Sequence, residues 1–373
     1  MRDKYLAGGT GTYKRSKDYS TWTKTSGGNP GIELVFLAND NGDFAVEAKL
    51  DATQWANVTD RSKYKEVLQQ ISISVYAKFK DDFDFIFFVL NTEDYAIGNA
   101  LGFAGTHIRV SNSVTGLGIE EYSNAPIYGS DEKLKSLMYF PSYDSILLGP
   151  ALHEIAHKWA AYICPTYTMG NTGDVRYDGH WGISNAGGQL GGFKYVKTIS
   201  TSGGTTEYQG SMDGTFTDGF GSNANGGNGL VYSDIELYTM GMIGADELKR
   251  KGFQLDIYSG LSPSDKNSVE EKRYGYFKAT TIKSYTIDDL ISLNGPRVPD
   301  ASASQKSFKV LTVILSNNQD TTASTRYDKI VKDVKWLAGL HQDTDNWKVY
   351  NFKEATGGKG SLIVGDIKKS LKP

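Results

Sequence analysis

Apolar and polar positions divide the chain into runs of distinct period. Ile32-Glu33-Leu34-Val35-Phe36-Leu37 is an apolar run of strand length, closed by the turn residues Asn39-Asp40-Asn41-Gly42-Asp43. In residues 61–80, Tyr64, Val67, Leu68, Ile71, Ile73, Val75 and Tyr76 recur mostly at helical spacing. Ile71-Ser72-Ile73-Ser74-Val75 alternates as a strand would, but the length of the run favours a helix. Residues 83–90 are almost continuously apolar, which predicts a central strand covered on both faces. Strand, helix and strand in this order suggest an α/β layer, with further strands expected at residues 102–114 and 115–119; residues 134–140 then lead into the next run.

The next run is a helix. Leu148, Leu152, Ile155, Ala156, Trp159 and Ile163 form an i, i+4, i+7 stripe, which predicts an amphipathic helix of roughly three to four turns with its apolar face on a core. Pro150 suits the first turn, where its missing N–H costs nothing, and Cys164-Pro165 supplies a stop. Beyond it, residues 178–193 interleave glycine and aromatic residues around His180 and read as a loop lining a cleft, with Trp181 as a flat wall. Residues 201–229 lack apolar periodicity and read as a flexible flap or insertion. In residues 232–243, Ser233 or Asp234 caps a helix that carries Glu236 in its first turn. The chain then turns more charged. A strand at 308–316, a helix at 322–340 and a final hairpin-like pair turning at Gly357-Gly358-Lys359-Gly360 follow. Residues 1–30 are polar and aperiodic, an expected flexible arm or linker with no chemistry. Without repeats or an obvious linker, the expected division is a catalytic domain at 31–250 and a C-terminal α/β subdomain at 251–373 packed on it.

The polar face of the predicted helix carries the candidate chemistry. His153-Glu154-Ile155-Ala156-His157 is a His-Glu-x-x-His motif. Residues four apart on a helix lie one turn above each other, so His153 and His157 can offer two imidazole nitrogens to one metal ion. Glu154 is rotated by about 100° from His153, placed to take a proton from a water rather than to share the ion. The motif fixes only three positions, so its weight comes from context. It sits on an amphipathic run, and three of the five histidines, His153, His157 and His180, fall within 28 residues.

A catalytic zinc takes three protein ligands and keeps one position open. His180, in the glycine-rich loop, is the favoured third ligand; Glu236 and Asp178 are the alternatives. His107, in the alternating segment Thr106-His107-Ile108-Arg109-Val110, reads by default as a strand-surface histidine. Tyr238, with Tyr232 close behind, is the candidate hydroxyl for holding an oxyanion. Met240 or Met242 is either an apolar floor under the metal or ordinary core. Asp213-Gly214 and Asp218-Gly219 offer carboxylates for Ca²⁺, though their spacing fits no standard calcium loop.

Composition narrows the remaining classes. At 373 residues, 39% hydrophobic and 22% charged, the chain supports a sizeable core. A net charge of −3 and a pI near 6.0 give no basic excess, so neither nucleic acid nor an anionic membrane is an expected partner. No apolar run is long enough for membrane insertion, and Met1 to Gly9 lack the apolar core of a secretory signal, so the chain either stays inside or is a trimmed form. The single cysteine, Cys164, excludes an internal disulfide. The 42 glycines and 23 tyrosines, with abundant Ser, Thr and Asn, correlate with a secreted or cell-surface protein.

The helix motif resembles that of the zincin metallopeptidases. The wider set Leu152 to Trp159, Gly179-His180-Trp181-Gly182, Gly188 to Phe193, Glu236 to Gly241 and Asn294-Gly295-Pro296-Arg297-Val298-Pro299 resembles a group of bacterial zincin-like proteins. The resemblance implies an α+β fold with a zincin-like mixed sheet and the active helix beneath a substrate cleft. It implies zinc on His153 and His157, and Glu154 as base. The chain departs from the metzincins at Ala160 and Ile163, where Gly and His are the pattern, and lacks the Asn-Glu-x-x-Ser-Asp segment of thermolysin-like enzymes. The expected activity is zinc-dependent hydrolysis of a protein or peptide substrate by an endopeptidase. The alternatives are a non-catalytic binding or adhesion module with a structural zinc, and zinc hydrolysis of a non-peptide bond.

Overall fold

All six residues of the strand Phe85–Leu90 are buried, which requires neighbouring strands on both sides and a packed layer on each face. The computed structural model, which describes residues 13–15, 22–24, 32–170, 173–217, 227–264, 275–342 and 349–373, supplies both. The main sheet runs in the order Glu33–Phe36, Ala45–Leu50, Ser307–Asn317, Phe85–Leu90, Ser136–Phe140 and Thr106–Arg109. Ala45–Leu50, Phe85–Leu90 and Ser136–Phe140 join Ser307–Asn317 in one parallel set, and the short strand Ser361–Ile363 pairs parallel with its beginning. Glu33–Phe36 and Thr106–Arg109 close the two edges antiparallel. The result is a mixed sheet with helices, consistent with the expected α+β class.

Successive strand residues point to opposite faces, and the core divides accordingly. Ile86, Phe88 and Leu90, with Leu137, Tyr139, Leu311 and Val313, pack under the helix Tyr64–Lys78, which lies within the expected 61–80. Phe85, Phe87 and Val89, with Met138, Phe140 and Phe308, face the helix Ala151–Ala156 that carries His153. Leu152, Ile155 and Trp159 are buried there, each adding roughly 1.5–3 kcal/mol for an aliphatic or larger side chain. Trp159 sits against Phe85 and Phe308 with ring centroids 6.1 and 5.3 Å apart. Leu148, expected on the same apolar stripe, is instead 38% exposed because it precedes the helix.

The site helix is shorter than its stripe suggested. Regular helix ends at Ala156, and the chain continues through tighter i→i−3 bonds from Lys158 to Ile155 and from Trp159 to Ala156. Ala161 then takes φ +65°, a left-handed turn that ends the run before Cys164-Pro165. At the other end Pro150 provides no capping side chain. Buried Asn228 does this from a distance, accepting the Leu152 N–H at 3.2 Å while donating to the carbonyls of Ile146 and Leu147.

Other expectations are corrected. Residues 195–211 form a hairpin, Tyr195–Ser202 with Thr205–Ser211, so the first part of the supposed flap is ordered sheet; Asp218-Gly219 lies outside the described residues. Gly203 and Gly204 have φ +57° and +79°, the signs a two-residue I′ turn needs at both positions. Residues 115–119 contribute only a single bridge, Thr115 to Val298, rather than a strand. The tail is no hairpin: Phe352–Ala355 is a short helix, and Ser361–Ile363 pairs with Ser307–Lys309. The expected 322–340 helix is Tyr327–Leu337. The boundary expected at residue 250 cuts through the main sheet, since Ser307–Asn317 lies between Ala45–Leu50 and Phe85–Leu90. The expected N-terminal arm lies outside the described residues except for the strand pair Tyr13–Arg15 and Trp22–Lys24. No helix among the described residues is long and apolar enough to cross a membrane.

Candidate metal centre

His153 and His157 stand one turn apart, as the i, i+4 spacing requires, with their Nε2 atoms 3.0 Å from each other. His180 joins them from the loop, its Nε2 3.2 Å from that of His153. One ligand atom from each residue lies within 4.8 Å of the others. Among the described residues this is the one group of three or more His, Cys, Asp or Glu side chains that converges so closely.

The protonation state follows from burial. Desolvation lowers His153 to about 3 and His180 to about 4, and holds His157 well below the ordinary imidazole value. Neighbouring imidazoles push His153 and His157 further down. All three rings are therefore neutral at pH 7, the form in which imidazole binds metals. The proton of His153 is placed by its surroundings: Nδ1 lies 2.7 Å from the Gln189 carbonyl, so Nδ1–H donates there and the Nε2 lone pair faces the other two rings.

A donor set of this kind fits zinc. Tetrahedral Zn–N bonds of 2.0–2.1 Å put neighbouring nitrogens about 3.3 Å apart. The 3.0 and 3.2 Å separations are close to that edge; without a cation, an Nε2–H of His157 or His180 can donate to the His153 Nε2 lone pair at these distances.

The loop reaches the helix because several bonds hold it. Buried Thr166 donates its hydroxyl to the carbonyls of Tyr177 and His180, at 2.9 and 2.7 Å. Gly179 takes φ +88° and donates its N–H to Ala161. The Tyr177 ring stacks on His180 with centroids 4.5 Å apart. Trp181, expected as a cleft wall, is fully buried, and its indole donates to Glu236 at 3.1 Å.

Glu236 is not with the histidines. Its Oε1 accepts from Trp181 Nε1 and Leu190 N, and its Oε2 from Gln189 N and Ser233 N, at 2.7–3.1 Å. Burial holds its pKa above the ordinary carboxyl value, and these four donors offset part of that rise. A carboxylate so occupied is a fastener between the loop and the helix Asp234–Thr239. Asp178 is 68% exposed and pairs with Arg176. Neither alternative third ligand reaches the trio.

Tyr238 is buried in the core, with Arg297 as its polar neighbour. Tyr232 spends its hydroxyl on the Leu152 carbonyl at 2.8 Å, helping to hold the site helix. The two tyrosines beside the histidines are Tyr177 and Tyr162, whose hydroxyl donates to the His157 carbonyl at 3.0 Å. Met240 and Met242 belong to the core. His107 stands behind the trio, its ring 6.1 Å from that of His157 and its Nε2 2.7 Å from Ser136 Oγ. Asp213 spends its carboxylate on Ser211 and Thr215 within its own turn. Arg297, from the Asn294–Pro299 motif, is buried and donates to the carbonyls of Thr239 and Pro299, so its part is structural.

Glu154 is buried against the edge strand. A Cβ at Gly105 would come within 3.1 Å of its Oε1, so the glycine leaves room for the carboxyl, which accepts from the His107 backbone N–H. Burial pushes its pKa up to about 8, with that N–H acting in the other direction. A cavity of about 420 Å³ is lined by Tyr95, Phe103, Ala104, Pro141, Leu148 and Gly149 among others, and neither Glu154 nor the three histidines line it. No family model, no curated protein and no solved structure matches this chain.

Proposed function

We propose that the chain is a zinc-dependent peptidase of zincin type, with His153, His157 and His180 as ligands and Glu154 as general base. The observation that carries this reading is the convergence of three neutral imidazoles, with the buried carboxyl of Glu154 on the same helix. A structural zinc site is closed by four protein ligands. Among the described residues no fourth His, Cys, Asp or Glu completes this group, which favours an open position.

When bound, zinc would lower the pKa of a water and polarise the scissile carbonyl. The chain's own residues would do the rest. The Glu154 carboxyl, which burial alone pushes up to about 8, would be favoured in its ionised form by a bound dication; held between Gly105 and the His107 N–H, that carboxylate would accept the proton of the attacking water and deliver it to the leaving amine. Tyr177, whose ring stacks on His180, replaces Tyr238 as the candidate hydroxyl for an oxyanion, since Tyr162 spends its hydroxyl on the His157 carbonyl.

The test is cleavage of casein and of a peptide library by the parent and by Glu154→Gln, with a chelator control. The amide keeps the shape of the carboxyl but cannot take the proton, so turnover should fall about 10² to 10⁴-fold while zinc content stays. Chelator-sensitive cleavage that survives Glu154→Gln would remove Glu154 from the base role. No cleavage of any peptide by the parent would favour the binding-module reading.

A further inference from the structure

The strand Thr106–Arg109 presents its two faces to different layers. Ile108 packs into the core beneath Tyr64–Lys78, so His107 and Arg109 point the other way, towards the site helix. The His107 ring, 6.1 Å from that of His157, shows this directly. Two residues on, the Arg109 guanidinium lies 4.2 Å from the centre of the Tyr162 ring and hydrogen-bonds its hydroxyl. Tyr162 is itself tied to the His157 carbonyl, and the positive charge of Arg109 acts on both His107 and His157. Arg109 is exposed, yet the aromatic ring fixes it at the edge of the histidine cluster.

Three other arginines satisfy their charge locally, whereas Arg61 and Arg250 lie away from the histidine cluster on other elements. Arg176 pairs with Asp178, Arg326 pairs with Asp320, and buried Arg297 is surrounded by carbonyl oxygens. Among the described residues Arg109 has no carboxylate partner. The chain as a whole is acidic, at −3, so a fixed cation here does not reflect a general basic surface. A planar guanidinium, oriented by a ring and open to solvent, is a receptor for a carboxylate.

We propose that Arg109 anchors a carboxylate of the substrate, making the enzyme selective for peptides that carry a negative charge near the scissile bond. This rests on the peptidase reading above. The carboxylate belongs either to an acidic side chain or to the substrate's C-terminus, and both present the same group to Arg109. Arg109 is thus a specificity residue that binds substrate, while Tyr162 positions it.

The experiment uses the zinc-loaded chain and matched peptide pairs. One pair set differs by free carboxylate against amide at the C-terminus, the other by Asp or Glu against Asn or Gln. The parent should cleave the charged member of a pair about 10-fold better or more in kcat/KM, mainly through KM, as one charge-assisted contact would give. The ratio should collapse towards one in Arg109→Gln and survive in part in Arg109→Lys. Whichever pair set shows the effect identifies the source of the carboxylate.

Equilibrium binding of the same peptides to zinc-loaded Glu154→Gln protein, with and without Arg109→Gln, gives a readout independent of turnover. Arg109-dependent preference for the charged peptide there supports the anchor even if the parent cleaves nothing, in which case the peptidase reading alone falls. The proposal is overturned if neither assay discriminates charge, or if discrimination persists in Arg109→Gln. It is also overturned if Arg109→Gln lowers kcat equally for charged and neutral peptides, which would make Arg109 a transition-state contact.

Discussion

Glu236 and His153 are linked through a single peptide unit of backbone on either side of Gln189. The Gln189 N–H donates to Glu236 Oε2 at 3.0 Å, and the Gln189 carbonyl accepts from His153 Nδ1 at 2.7 Å. The buried carboxylate therefore acts on the histidine trio without touching it, by fixing the backbone that sets the tautomer and direction of His153.

Glu236→Gln tests that chain of contacts. An amide cannot accept at both ends, so two of the four N–H donors would face an NH₂ group. The expected outcome is a loss of about 1.5–3 kcal/mol or more in urea unfolding and a zinc affinity 10–100-fold weaker in the folded fraction. Zinc competition against a chromogenic chelator measures the second quantity. Affinity within two-fold of the parent would show that the link does not orient His153.

Gly188→Ala should act through the same carboxylate. A Cβ at position 188 would fall 2.1 Å from Glu236 Oε2 and 2.7 Å from Ser233 Oγ, with buried backbone on both sides. The displaced Glu236 should cost about 1–3 kcal/mol of overpacking and further hydrogen-bond loss, read as a lower urea midpoint. An unchanged midpoint would mean that the loop can shift without penalty.

The meeting of the two helix histidines was legible because i, i+4 geometry is local: His153 and His157 need only one helical turn to meet, and one turn is what formed. His180 was legible more weakly, through a glycine-rich loop that brings backbone close to the helix. The role of Glu236 was not, since a ligand and a fastener have the same sequence and differ only in which N–H groups surround them. Ala161 in a left-handed conformation shortened a helix whose apolar stripe continued beyond it. The hairpin at 195–211 was missed because its Thr, Ser and Tyr residues give little apolar alternation, although Gly203-Gly204 marked its turn. Arg109 and Tyr162 gave no signal in advance, as they meet only when the edge strand lies beside the site helix.

The metal-free protein should show a pH dependence traceable to His180. Its folded pKa is lowered to about 4 from the ordinary 6.5, by burial, so the unfolded chain binds a proton there that the folded chain does not. The contribution to stability is fully present above pH 6.5 and is lost as pH falls towards 4. Glu154 has the opposite sign: its carboxyl is pushed up to about 8, so its contribution is lost as pH rises from 4.5 towards 8. His180→Ala should therefore flatten the fall in stability between pH 6 and 4.5 by up to about 1.4 kcal/mol per pH unit. Urea unfolding in chelator at several pH values measures it, and parallel profiles for parent and variant would contradict the buried, neutral state of this ring.

The most direct measurement is zinc stoichiometry and affinity in the parent and in His180→Ala, taken by elemental analysis after dialysis and by chelator competition. The parent should hold about one zinc per chain, and His180→Ala should bind it at least about 100-fold more weakly while keeping the parent's circular dichroism, since one of three protein ligands is gone. No zinc uptake by the folded parent, or equal affinity in the variant, would contradict a metal centre built from His153, His157 and His180.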